Sequence, residues 1–230
     1  MSITANIAKI EERIQKVCDL TGRKRSEISL MGVSKFIPLD NVLEAYHAGI
    51  VCFGESRVKE GAEKFEAFRN EHPEVQLHLI GSLQRNKAKA AALFFDCIQS
   101  VDREELIIEL VKQAQNREKP LDVLFELHTG EETKSGFADF DALFKSVEMT
   151  AGQKKIRPKG LMTMAPYTDN KELIRKSFRQ LVKAQGELEK RFPPKENWNC
   201  LSMGMSNDFE IAIEEGSSLL RIGSLIFNND

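Results

Sequence analysis

The chain has 230 residues, 41% of them apolar and 30% charged, which is too apolar for a disordered polymer and too polar for a bundle of membrane helices. Its 33 basic and 35 acidic side chains leave a net charge of −2, so no global positive field exists to hold a nucleic-acid backbone. Cys18, Cys52, Cys97 and Cys200 lie far apart, with neither a CxxC pair nor a metal-ligand spacing, which points to buried thiols in a reducing compartment, with the cytoplasm as the expected location.

Residues 3–20 place Ile7, Ile10, Ile14 and Val17 at spacings of three and four, which predicts a leading amphipathic helix rather than a signal-peptide core. No later apolar run approaches the roughly 20 residues of a membrane span. Short apolar runs then alternate with helical spacing. Strands are predicted at 28–34, 50–54, 76–81 and 95–101, followed respectively by helices at 39–48, 58–70, 86–94 and 103–116. The second half repeats the rhythm, with strands at 123–128, 157–162, 200–203 and 219–226 and helices at 140–150, 170–191 and 208–215. Eight strands with crossover helices predict an α/β fold, a (β/α)8 TIM barrel with an extra N-terminal helix, occupying 1–230 as one domain. No Ser/Gly/Pro-rich linker interrupts it, and Pro193-Pro194 follows a helix, where proline commonly stops one. A doubly wound open sheet shares the alternation, but Gly32 and Gly54 lack GxGxxG spacing and no P-loop is present.

The working face of such a barrel lies at the C-terminal ends of its strands. Ser34-Lys35, Glu55-Ser56-Arg57, Ser82, Gln84, Asp102, the 129–136 loop, Thr163, the stretch Met203-Gly204-Met205-Ser206-Asn207, and Arg221-Ile222-Gly223-Ser224 fall there. Lys35 ends an apolar run, so its amine is expected to project into the mouth. A partly desolvated lysine among other cations supplies the neutral amine that forms a Schiff base with an aldehyde; a solvated strand-end lysine is the ordinary alternative. Ser206-Asn207-Asp208 opens the seventh helix and Gly223-Ser224 ends the eighth strand, where barrels commonly build phosphate sites from backbone amides. A plain helix cap and a packing glycine would give the same residues. Arg221 stays protonated and only donates, so a pyridine nitrogen facing it would remain unprotonated; a structural salt bridge is the other use of such an arginine.

His47 and His72 are expected to face solvent, and His78 and His128 to be hydrogen-bonded core histidines. No metal cluster emerges, and the missing GxSxG pattern argues against a hydrolase. Arg85, Lys87 and Lys89 form a small basic face, usually a solvated one, with attraction of an anionic ligand at the barrel mouth as the alternative.

The ordered anchors Val33-Ser34-Lys35, Phe53-Gly54-Glu55, Ile80-Gly81 with Leu83-Gln84 and Asn86-Lys87, Leu201-Ser202-Met203-Gly204-Met205-Ser206, and Arg221-Ile222-Gly223-Ser224 before Ile226-Phe227 span nearly the whole chain. On these, and on the weaker Thr133-Lys134-Ser135-Gly136, the chain resembles the YggS/PROSC family of pyridoxal 5′-phosphate (PLP) binding and homeostasis proteins. The resemblance implies a barrel like the N-terminal domain of alanine racemases, with PLP held as a Schiff base on Lys35. It implies phosphate contacts from Ser206, Gly223 and Ser224, Arg221 at the ring nitrogen, and Ser56 and Met205 within the cofactor-binding set. Two departures stand out: Ser56 and Ser82 occupy positions where the family usually has asparagine and histidine. The family acts mainly as a PLP carrier or regulator of vitamin B6 balance.

A pyridine left unprotonated beside Arg221 is a weak electron sink, which handicaps carbanion chemistry. In alanine racemases a second base, a tyrosine, comes from a separate C-terminal domain; here the sequence runs only to Asp230 and no such domain is expected. Of the two tyrosines, Tyr46 is expected away from the mouth and Tyr167 within reach of it. The expectation is therefore a monomeric PLP-binding protein that buffers PLP or passes it to PLP-dependent apoenzymes. The alternatives are a slow amino-acid racemase and a phosphate-binding barrel without aldehyde chemistry. Lys134 is a further candidate, either as a transient PLP acceptor or as a plain surface cation beside Glu131 and Glu132.

Overall fold

A computed structural model describes residues 2–130, 135–192 and 198–228. Helix α1 (Ile3–Thr21) begins at Ser2, whose hydroxyl accepts from the Ala5 N–H at 3.2 Å, and stops at Gly22, which takes the left-handed conformation at φ +68. Its buried stripe is the one the spacing predicts: Ile7, Ile10, Ile14 and Val17, joined by Ile3 and Cys18.

Eight parallel strands follow in chain order and close into a barrel. The first four units are β1 (Ser29–Val33) and α2 (Leu39–His47), β2 (Cys52–Glu55) and α3 (Val58–Glu71), β3 (Gln76–Leu79) and α4 (Ala88–Phe94), and β4 (Cys97–Val101) and α5 (Glu104–Ala114). The rest are β5 (Leu121–Glu126) and α6 (Phe140–Glu148), β6 (Ile156–Met162) and α7 (Lys171–Arg191), β7 (Cys200–Ser202) and α8 (Phe209–Glu214), and β8 (Leu219–Ile222) with the single turn α9 (Ser224–Phe227). Closure is made by β1 on β8, from Ser29↔Leu219 to Gly32↔Ile222.

That closing pair corrects the predicted eighth strand. Its apolar run continues to Ile226, but β1 offers no pairing beyond Gly32, so the chain leaves the sheet after Ile222 and turns helical at Ser224. Ile226 and Phe227 are buried beside α1 rather than in the sheet, an outcome that periodicity cannot distinguish in so short a run. Between β6 and β7 the backbones approach so closely that a Cβ on Gly160 would sit 1.9 Å from the Cys200 carbonyl oxygen, so only glycine fits.

Aliphatic and aromatic side chains fill the space between strands and helices, while a smaller group, Cys97, Leu124 and Met162, packs with Met164 and Cys200. The cysteines are all free thiols, and burial pushes Cys200 up to about 11, so they are inert packing groups. His72 departs from expectation: instead of facing solvent it stacks on Tyr46 and Phe68, with ring centroids 4.3 and 4.7 Å away. Among the described residues no helix is long and apolar enough to cross a membrane.

Candidate functional site

The C-terminal strand ends surround a cavity of about 940 Å³, and Lys35, Ser56, Met205, Ser206, Arg221, Gly223 and Ser224 all line it. Ser82 lines it too, so both departures from the family pattern face the same space. Lys35 stands in a turn directly after β1. The Ser34 N–H donates to the Gly54 carbonyl at 3.0 Å, and the Ile37 N–H returns to the Ser34 carbonyl at 3.0 Å. Phe36 in this turn has φ +63, a conformation that a bulky side chain adopts only where its surroundings hold it.

The holding groups are buried. Glu55, at the end of β2 and 2% exposed, accepts from the Ser34 hydroxyl and from the Lys64 ammonium, both at 2.8 Å, and Lys64 also donates to the Ser34 carbonyl at 2.7 Å. Lys35 itself is exposed rather than partly desolvated, standing at the open side of the cavity.

On the opposite side, Gly204 adopts φ +96, and a Cβ there would lie 2.6 Å from that of Ala212, so the β7 exit turns tightly over α8. The buried Asp208 carboxylate accepts from the Met205 N–H at 2.5 Å, and the Asp208 and Phe209 amides return to the Met205 carbonyl. Burial raises the Asp208 pKa. The Leu225 N–H donates to the Ser206 hydroxyl at 3.4 Å, which ties this loop to the Gly223-Ser224 turn. Ser206, Gly223 and Ser224 thus line the same cavity, joined by this bond.

Arg221, on β8 and 4% exposed, reaches the cavity from the barrel interior. It donates to the Ser202 hydroxyl at 2.7 Å and to the Thr163 carbonyl at 2.8 Å. Ser202 donates to Gln99 Oε1 at 2.6 Å, and Gln99 Nε2 lies 2.8 Å from His78 Nδ1. Burial pushes Arg221 down to about 10, opposed by the Asp208 and Glu126 carboxylates, and pushes His78 down to about 4. Glu126, a buried carboxyl in the cavity wall, is raised by desolvation; its Oε1 accepts from the Ser135 hydroxyl at 2.6 Å. His78 is therefore the hydrogen-bonded interior histidine that its strand position predicts.

Other strand-end candidates fall elsewhere. Thr163 is buried, its hydroxyl donating to the Leu127 carbonyl at 2.8 Å, and Asp102 pairs with Arg103. Arg85, Lys87 and Lys89 are exposed, as a solvated face should be. Lys134 lies outside the described residues. Tyr167 lines the cavity at 88% exposure, whereas Tyr46 is on α2 and donates to Glu74. Lys64, Gln99 and Glu126 are absent from the sequence-based candidates, and Ser202 enters there only as part of an anchor, with no role. The available signal was polarity in an apolar strand: Gln99 within Cys97–Val101 and Glu126 ending Leu121–Glu126.

The cavity-lining donors include the Lys35 and Lys171 amines, the Ser206 and Ser224 hydroxyls, and the buried Arg221 guanidinium. This set suits a ligand with a carbonyl, a phosphate and an acceptor nitrogen, and the donors for all three lie in one cavity.

A family model described as "Alanine racemase, N-terminal domain" matches residues 5–229. The pyridoxal phosphate homeostasis protein of Aquifex aeolicus is 37% identical over 227 residues, covering 99% of this chain and 98% of that protein. Among solved structures, an unknown protein from Bifidobacterium adolescentis superposes with TM-score 0.89 at 27% identity, covering 98% of this chain and 94% of that one. PipY of Synechococcus elongatus, solved with PLP bound, superposes with TM-score 0.81 at 30% identity, covering 94% of this chain and all of that one (100%). The chain belongs to the alanine racemase N-terminal barrel family and, within it, to the pyridoxal phosphate homeostasis proteins.

Proposed function

We propose that this chain is a PLP-binding protein that holds the cofactor reversibly on Lys35 and acts in intracellular PLP homeostasis as a carrier or buffer. The observation behind it is that Lys35, Arg221 and the Ser206, Gly223 and Ser224 wall line a single cavity. Lys35 would hold the bound cofactor through its amine, and the cofactor would supply an aldehyde able to form a covalent link that water can reverse. Ser206 and Ser224 hydroxyls with the Gly223-Ser224 turn would hold the phosphate, Arg221 would meet the ring nitrogen, and Ser56 and Met205 would complete the cofactor-binding set. The protein works as a cytoplasmic monomer and supplies PLP-dependent apoenzymes.

Two features weigh against a racemase. Arg221 cannot give a proton up to the ring at ordinary pH, so the ring remains a weak electron sink. Tyr167 is 88% exposed, and among the described residues no hydrogen bond fixes it as a base.

The test is spectroscopic. PLP added to purified protein should produce a visible absorption band that borohydride fixes to the Lys35 peptide, and Lys35→Ala should abolish it. A colourless protein, or label on another lysine, rejects the proposal. Amino acids incubated with loaded protein in deuterated water should exchange their α-protons no faster than with free PLP; rapid stereospecific exchange would establish the racemase instead.

A further inference from the structure

With the Gln99 amide placed as it is, Oε1 toward Ser202, the hydrogen bonds behind Arg221 run in one direction. A guanidinium donates and never accepts, so Ser202 Oγ, 2.7 Å from Arg221 Nη1, must accept there and send its own hydrogen to Gln99 Oε1 at 2.6 Å. In this orientation the Gln99 NH2 faces His78 Nδ1 at 2.8 Å, which accepts and leaves the His78 proton on Nε2. Gln99 and Ser202 are both fully buried, so water offers neither of them a substitute partner. With Nη2 on the Thr163 carbonyl at 2.8 Å, both terminal nitrogens of Arg221 are tied to neutral acceptors.

This is an unusual choice for a buried cation, because the Asp208 and Glu126 carboxylates lie close enough to act on Arg221, yet neither is its hydrogen-bond partner among the described residues. Neutral acceptors serve a buried cation only if they are geometrically fixed: Ser202 stands on β7 and is anchored in turn by Gln99 on β4, which His78 on β3 holds. Two of the five N–H donors are used, so the others remain for the cavity that Arg221 lines.

We propose that Ser202 and Gln99 are positioning residues that keep Arg221 off the neighbouring carboxylates and aim it at a ring nitrogen, so that the site selects pyridines whose nitrogen carries a free lone pair. The proposal rests on the assignment of Arg221 to the ring nitrogen of PLP and specifies what enforces it.

The test compares equilibrium binding of PLP with that of N-methyl-PLP, whose ring nitrogen cannot accept a hydrogen bond and carries a fixed positive charge. Wild type should favour PLP by about tenfold or more, the scale of one hydrogen bond to a charged donor. Arg221→Met should bring that ratio to about one, and Ser202→Ala and Gln99→Met should each bring it below about threefold. A general packing defect would weaken both ligands alike and leave the ratio intact, and either variant suffices if the other does not fold. If Arg221→Met erases the preference while Ser202→Ala and Gln99→Met keep the wild-type ratio, the positioning role is overturned and the Arg221 assignment stands. If wild type shows no preference, or Arg221→Met retains it, the Arg221 assignment falls and the positioning role with it.

Discussion

Lys64→Met tests how the Lys35 turn is held. The Lys64 ammonium, 16% exposed, donates to Glu55 at 2.8 Å and to the Ser34 carbonyl at 2.7 Å, while Glu55 is 2% exposed. Removing one partner of a buried ion pair costs about 3–5 kcal/mol, because the other charge is left without compensation. Residual solvent access to Lys64 favours the lower end, so a loss of about 3 kcal/mol is expected, or a fall in Tm of about 6–12 °C for a chain of this length. The loss is also local. Among the described residues the Ser34 carbonyl then keeps the Ile37 N–H alone, and the turn that strains Phe36 at φ +63 is no longer over-determined. PLP uptake on Lys35, followed by absorbance, should slow by about tenfold, a change worth about 1.4 kcal/mol. Adding Glu55→Gln should recover much of the stability, since an amide leaves no unpaired charge. Urea melts and uptake traces for the single and double variants decide the matter. A single variant that melts within about 1 °C of wild type and loads at the wild-type rate would refute the argument.

Acid should weaken the fold through His78. Its pKa is held at about 4 against an ordinary 6.5, so between those values the unfolded chain takes up a proton that the folded one refuses, and stability falls as pH falls through that window. Glu126 and Asp208, raised by burial, act with the opposite sign, so the measure is the difference between wild type and His78→Gln, which should narrow or reverse by up to about 3 kcal/mol from pH 6.5 to 4; parallel curves would exclude His78 as the source. Gly81→Ala would set a Cβ 2.2 Å from the Ser56 carbonyl oxygen, so unfolding should show a loss of about 1–3 kcal/mol and PLP affinity should drop with it; unchanged affinity would separate Ser56 from the site. Ile14→Ala on α1, at a fully buried position, should cost about 2–5 kcal/mol in urea while leaving the PLP absorption band unshifted.

Strand and helix alternation was readable because each βα unit is local: an apolar run, an exit and a periodic helix lie together in the chain. The α1 stripe is legible for the same reason. Local patterning fails at Ile226, where strand and helix bury the same side chain and only the length of β1 decides. The cavity wall was readable because barrel topology brings all strand exits to one face, so Lys35 and Arg221 could be paired without contact information. Their supports could not. Gln99 and Ser202 are 103 residues apart, and Arg221 and Thr163 are 58 apart. Nothing local to Lys64 distinguishes it from the solvated lysine at position 59, which pairs with Glu63 on the surface of the same helix.

The two ends of the site are built to opposite standards, and the difference bears on carriage. Arg221 is buried, and its terminal nitrogens are tied to two neutral acceptors, so a ring docked against it meets a donor that has already lost its freedom. Lys35 is exposed in a turn whose strain is maintained from beneath by Glu55 and Lys64, which leaves water free to approach its nitrogen. A covalent link that must be hydrolysed for release profits from such access, whereas an enzyme that shelters a carbanion would profit from its exclusion. With Arg221 at the ring and Lys35 at the aldehyde, as proposed, rigidity at one end and wetness at the other would favour retention without commitment, which is the property a reversible PLP carrier requires.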